Sequence, residues 1–97
     1  MFMRAADIYM NTGIARIKLG RTILRAGRPA EAVTETLEGY RILSAQTNPS
    51  ISYLRAARAD LATAYDAINE PQEAARFRAE RAAVEAGNAA LKTRGPG

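Results

Sequence analysis

One stretch of this chain is written twice. Arg16 to Val33, RIKLGRTILRAGRPAEAV, set above Arg58 to Ala75, RADLATAYDAINEPQEAA, aligns Arg16 with Arg58, Leu19 with Leu61, Pro29 with Pro71, Glu31 with Glu73 and Ala32 with Ala74, an offset of 58 minus 16, or 42 residues. Self-similarity at such a period constrains folding more than any single motif. Each copy must adopt the same supersecondary unit, and neither copy can bury its apolar side without a neighbour. Gly20 falls on Ala62, both small, and Gly27 falls on Asn69, the two residue types that most readily take the left-handed conformation at a helix end.

The turns follow from these residues. In each copy a helix ends at Gly27 or Asn69, one residue follows, and Pro29 or Pro71 opens the next helix, where a missing N–H costs nothing and a fixed φ is already helical. Glu31 and Glu73 then sit in a first turn, favourable to the helix dipole. Turns this tight force antiparallel helix pairs. Between the copies, Gln46-Thr47-Asn48-Pro49-Ser50 is the strongest polar break, with Asn48 or Ser50 able to cap the helix that follows. The expected helices are 7–26, 29–46, 50–68 and 71–87 in a single 97-residue domain, with repeat one at 7–46 and repeat two at 49–87. A loose N-terminus is expected before the first helix. Gly87-Asn88 is expected to end the last helix, leaving 88–97 as a flexible tail.

Composition agrees with an all-α fold. The chain has twenty-one alanines against seven glycines, four prolines and six aromatics, an inventory poor in the residues strands prefer. It has no cysteine and no histidine, which removes disulfides, thiol nucleophiles, ordinary zinc sites and the commonest general base. No catalytic site, metal or cofactor is expected. Arg4 and Asp7 interrupt the first apolar residues, so neither a signal peptide nor a membrane span is expected, and the expected location is cytoplasmic. Net charge is +4, carried by twelve arginines and only Lys18 and Lys92 as lysines.

Helical periodicity assigns the faces. Ile51, Leu54, Arg58, Leu61, Tyr65 and Ile68 form one stripe at spacings of three and four. Arg58 interrupts it, its stem expected to pack while its head reaches water. Val33, Leu37, Tyr40 and Leu43 form the stripe of the second helix. In the first helix, steps of about 100° put Ala15, Leu19, Ile23 and Ala26 on one side, Ile14, Ile17 and Leu24 on another, and Lys18, Arg21, Arg25 and Arg28 close to the second group. Two apolar sides call for two neighbours.

Leu19-Gly20, Ile23, Gly27, Pro29 and Ala32, and again Leu61-Ala62, Tyr65, Asn69, Pro71 and Ala74, resemble the tetratricopeptide repeat pattern over about residues 7 to 86. The phrase GRPAEA, Gly27 to Ala32, is similar to bacterial members, and the 42-residue spacing resembles the longer repeats of kinesin light chain-like and bacterial regulatory proteins. The chain departs from the pattern where Arg16 and Arg58 replace an aromatic, where Thr36 and Arg78 stand at a bulky position, and where Arg81 replaces a small residue that is Gly39 in the first copy. Phe77 and Ala82 are placed to take over by a one-residue shift, and Arg76, Arg78 and Arg81 suggest an exposed capping helix.

The resemblance implies two hairpins in a right-handed superhelical stack. It also implies a non-catalytic protein-interaction module, a fragment or accessory domain of a larger bacterial regulatory or signalling protein such as a serine/threonine kinase. Its inward positions would be Ile17, Arg21, Leu24 and Arg25 in repeat one and Ala59, Thr63, Asp66 and Ala67 in repeat two, gripping a protein or peptide partner with carboxylates beside apolar side chains. With only two repeats, the face of Ile14, Ile17 and Leu24 is expected to pair two copies as a homodimer. The alternative is a basic nucleic-acid-binding protein, because Arg4, Arg16, Lys18, Arg21, Arg25 and Arg28 face only Asp7 in the first thirty residues. No recognition helix or phosphate loop accompanies that charge. The acidic residues Asp60, Asp66, Glu70 and Glu73 read as a solvated face, with Asp66 and Glu70 one turn apart.

Overall fold

Two residues with positive φ organise the chain. Gly27 at 81° and Asn69 at 65° each stop a helix and reverse its direction within three residues. The computed structural model describes residues 5–46 and 49–94, which form four helices: α1 Ala5–Arg25, α2 Pro29–Ser44, α3 Ile51–Ala67 and α4 Pro71–Arg94. The described residues are all helix and turn. The expected loose N-terminus, the capping role of Asn48 and the last three residues of the expected tail lie outside them.

The two turns match hydrogen bond by hydrogen bond. The Gly27 N–H donates to the Leu24 carbonyl at 3.0 Å and the Arg28 N–H to Ile23 at 3.2 Å, while Asn69 donates to Asp66 at 3.1 Å and Glu70 to Tyr65 at 2.8 Å. Each partner in the second turn lies 42 residues after its counterpart in the first. The left-handed residue thereby satisfies carbonyls that the helix end leaves open. At the start of α3, Ser50 takes the N-cap position, but its hydroxyl makes no capping bond.

Within the first hairpin the helices approach until backbone nearly touches backbone. A Cβ added at Gly20 would lie 1.9 Å from Thr36 Oγ1 and 3.0 Å from the Thr36 nitrogen, and one at Gly39 would lie 2.6 Å from the Gly13 carbonyl oxygen. This close face decides which side of α2 is buried: Ala32, Thr36, Gly39, Ile42 and Leu43. Leu37, expected in that stripe, is exposed, and Val33 and Tyr40 are half-buried. The correction has a plain cause. Small residues let α2 press on α1, and the larger side chains at its flank are left to meet α3 and α4.

The second hairpin sits against the first through α2 and α3. Ile17, Leu43, Leu54 and Ala57 form one buried cluster, and Leu61, Ala62 and Phe77 form another that Val33, Tyr40 and Tyr65 pack against. Phe77 is met edge-on by Tyr40 at 5.7 Å and stacked by Tyr65 at 5.9 Å, arrangements that add to the area they bury. Phe77 does take over the bulky position in α4, whereas Ala82 is exposed, as are Arg76, Arg78 and Arg81. Burial raises the Tyr65 hydroxyl above its ordinary pKa, and the charge of Glu73 adds to this.

Two further expectations are corrected. α4 continues to Arg94, past the stop expected at Gly87, because one glycine costs a helix only about 1 kcal/mol and alanine, leucine and lysine follow it. Arg58 does not carry its whole head into water: the residue is 7% exposed, and its Nε is buried with no hydrogen-bond partner among the described residues.

Candidate partner-binding surfaces

The surface between α1 and α3 holds the residues that a partner was expected to meet. Ile17, Lys18, Arg21, Ser52, Tyr53 and Ala56 line a hollow of about 220 Å³ there. Arg21 is not waiting for an incoming carboxylate. Its Nε donates to Asp60 Oδ2 at 3.0 Å and its Nη2 to Oδ1 at 3.3 Å, a bidentate pair that ties one hairpin to the other. Lys18 Nζ lies 5.8 Å from the centre of the Tyr53 ring, within cation–π range.

The remaining expected residues divide in the same way. Ile17 is 2% exposed and sits in the core with Leu43, Leu54 and Ala57. α2 and α3 both close over it, which leaves almost none of its surface for a partner or a second copy. Ile14 is half-buried against the same cluster, Leu24 is half-buried, and Arg25 is exposed. In repeat two, Ala59 is half-buried and Ala67 exposed. Thr63 is exposed, with its hydroxyl turned back to the Ala59 carbonyl at 3.1 Å. Asp66 is held by Arg78, which raises the Arg78 pKa through that hydrogen bond. Asp66 is thus tied to α4 rather than paired with Glu70 for acid–base work. Among the described residues no group of three or more acidic side chains could hold a metal ion, and no helix is long and apolar enough to cross a membrane.

Part of the basic cluster in the first thirty residues is similarly committed, and Arg4 lies outside the described residues. Arg16 pairs with Glu35 at 3.0 Å, Arg21 with Asp60, and Arg28 with Glu31 at 3.8 Å. Three of the cations proposed for phosphate contact already face carboxylates, so the cluster presents far less positive field than its sequence suggests.

The open apolar surface lies elsewhere on α1. Ile8 is 52% exposed and Leu19 48% exposed, and Thr12 and Ala15 between them on the same stripe are exposed as well. The stripe 42 residues later contains Leu54, Ala57 and Leu61, all buried, with Leu61 at 0%. In repeat two this face is covered by the first hairpin. In repeat one nothing among the described residues covers it. A second surface that the sequence reading missed is a groove of about 570 Å³ between α2 and α4, lined by Leu37, Tyr40, Arg41, Ser44, Arg76 and Phe77. A third is a hollow of about 160 Å³ beside Arg58, Arg78 and Arg81. The signal for the third was present in the aligned repeats: position 35 is glutamate and position 77 phenylalanine, so Arg58 lacks the carboxylate that Arg16 has.

No family model, curated protein or solved structure matches this chain.

Proposed function

We propose that the chain is a non-catalytic helical-repeat interaction module of the tetratricopeptide kind, serving a larger bacterial regulatory protein. Its primary contact is with a second copy of itself. The observation that carries this reading is the contrast between α3 and α1. The α3 face is closed by a neighbouring hairpin, while the same face of α1 leaves Ile8 and Leu19 about half exposed. Burying a leucine or isoleucine side chain is worth roughly 1.5–3 kcal/mol, so the open stripe favours association.

The occupant follows from charge. Head-to-tail stacking would seat the apolar stripe of α1 on the end of another copy where the exposed Arg78–Asp66 ion pair lies, and covering that pair with apolar side chains costs desolvation. Face-to-face pairing of two α1 helices instead opposes Ile8, Thr12, Ala15 and Leu19 to themselves, and the adjacent Arg16 is already neutralised by Glu35. Such an isologous contact closes on itself as a dimer. It replaces the face of Ile14, Ile17 and Leu24, because Ile17 is unavailable.

Sedimentation velocity over a concentration series tests the proposal. The wild-type chain should pass from monomer to dimer as concentration rises, and Leu19→Glu should remain monomeric with unchanged helicity. A wild-type chain that stays a folded monomer throughout, or a Leu19→Glu variant that dimerises equally, would overturn it.

A further inference from the structure

The two hairpins share their turns but not their seams. In the first, Gly13, Gly20 and Gly39 let α1 and α2 approach closely, and Arg16 bridges the helices to Glu35. The equivalents of those glycines, 42 residues on, are Arg55, Ala62 and Arg81, and Glu35 becomes Phe77. α3 and α4 therefore lack both the run of small residues and the bridge. A hollow of about 160 Å³ remains along their seam, where Arg58 and Ala62 of α3 face Phe77 and Arg78 of α4.

The far half of α4 is held by less still. Ile42 in α2 is 3% exposed, whereas its equivalent Val84 is 41% exposed. Among the described side chains of α4, Ala74 and Phe77 are the buried ones, and every described side chain from Arg81 to Gly87 is exposed. The helix is attached through Phe77 against the Tyr40 and Tyr65 rings. The Tyr40 hydroxyl, donating to Glu80 Oε2 at 2.9 Å, and the Arg78–Asp66 ion pair add to this. Against these contacts stands Arg58, buried along the seam with its Nε lacking a hydrogen-bond partner among the described residues. An unsatisfied buried polar group costs free energy that water relieves once the seam opens.

We propose that α4 is a hinged latch, which lifts from α3 as one unit about Asn69 and Glu70 while α1, α2 and α3 stay folded. The turn supports such a pivot. Its hydrogen bonds from Asn69 and Glu70 run back to Asp66 and Tyr65 in α3, and Pro71 has no N–H with which to tie α4 to them. α3 keeps its other side without α4, because Leu54 and Ala57 pack with Ile17 and Leu43, and Asp60 pairs with Arg21. Lifting uncovers Leu61 and Ala62, which Phe77 otherwise covers, so the chain holds an apolar face in reserve. The motion involves no residue of the exposed α1 stripe and is the same in a monomer and in a dimer.

Native-state hydrogen exchange of the intact chain, read amide by amide in a series of low urea concentrations, is the test. Amides of residues 75–84 should exchange through one shared opening, with protection about tenfold or more below that of the slowest amides in α2 and α3. That opening should depend on urea more weakly than global unfolding does, because it exposes less surface. Ile42→Val, which loosens the first hairpin, should speed exchange in α2 and leave the α4 opening unchanged, since that hairpin is intact in the opened state. Arg58→Met keeps an apolar stem and removes the buried guanidinium, and it should slow the α4 opening by about fivefold or more. Four results would each overturn the proposal: α4 amides that follow global unfolding in rate and urea dependence; protection that falls steadily towards Val84, as in fraying; Ile42→Val speeding α2 and α4 equally; or an Arg58→Met opening as fast as wild type.

Discussion

Leu19 and Leu61 are the same residue at the same place in two copies of one hairpin, yet Leu19 is 48% exposed and Leu61 is fully buried. Local sequence does not separate them, since both precede a small residue and both lie eight positions before the residue that turns the chain. What separates them is the neighbour. α2 and α4 cover Leu61 through Val33, Tyr40 and Phe77, and nothing described covers Leu19. Leu61→Ala should therefore cost about 2–5 kcal/mol of stability, as a cavity in a packed core does. Leu19→Ala should stay within about 0.5 kcal/mol. Urea denaturation of the two variants at a concentration where the chain is monomeric checks this, and equal losses would contradict the asymmetry.

The Arg21–Asp60 pair joins residues 39 apart in sequence, and it is one of the few polar links between the hairpins. Asp60 is the more buried partner, with 14% of its side chain exposed against 42% for Arg21. A double-mutant cycle with Arg21→Gln and Asp60→Asn should give a coupling of about 1 kcal/mol, the upper end for pairs that solvent reaches. The coupling should shrink as salt is raised. Arg21→Glu should do worse than Arg21→Gln, because it brings a second carboxylate to Asp60. A cycle without coupling would mean that the pair only decorates an interface held by the apolar clusters.

Much of this architecture was legible because the turns are chemistry. Gly27 or Asn69 followed by Pro29 or Pro71 admits few conformations, and the four helices with their two tight reversals follow from those residues. Side-chain roles were less legible, because they depend on distances between elements that periodicity does not contain. The stripe of α2 was misplaced at Leu37 because a hydrophobic pattern does not register that Gly13, Gly20 and Gly39 draw two backbones together. Ile17 was assigned outward because the helical wheel of α1 offered two apolar sides and no means of choosing between them. Arg21 looked available because Asp60 was read with its acidic neighbours on the chain rather than with the helix across from it. The partnerless Arg58 could have been noticed by aligning position 35 with position 77, a comparison of charges that the search for matching residues passes over.

Two glycines should respond in opposite directions to the same substitution. Gly20→Ala gains helix propensity of about 1 kcal/mol. Its new Cβ, however, would stand 1.9 Å from Thr36 Oγ1, 3.0 Å from the Thr36 nitrogen and 3.1 Å from the Thr36 Cβ. Rotating the threonine removes only the first of these clashes, so α1 and α2 must separate, a strain of about 1–3 kcal/mol of the overpacking kind. Among the described residues no side chain or other element comes within 4 Å of a Cβ added at Gly87 in α4, so Gly87→Ala should stabilise the chain by up to about 1 kcal/mol. Thermal unfolding should show a lower midpoint for the first variant and an unchanged or higher one for the second.

Acid should reach the Glu38–Arg41 pair of α2 late. The Glu38 carboxylate accepts hydrogen bonds from the Arg41 guanidinium, one turn on, with Nε at 3.1 Å from Oε2. These bonds are the largest influence; they outweigh the opposing desolvation, the charges of Arg41 and Arg16 add less, and the Glu38 pKa is held below its ordinary value. A carboxyl depressed in the folded state contributes its stability in full above its unfolded pKa, and that contribution disappears as pH falls through the folded pKa. Proton uptake by Glu38 should therefore begin below the usual carboxylate range. A carbon-detected NMR titration should find Glu38 titrating below the ordinary glutamate value. Arg41→Gln should raise the Glu38 midpoint towards its ordinary value. If the midpoint does not move in that variant, the Glu38–Arg41 pair seen in the fold is not maintained in solution, and the last turn of α2 is held by packing of Ile42 and Leu43 alone.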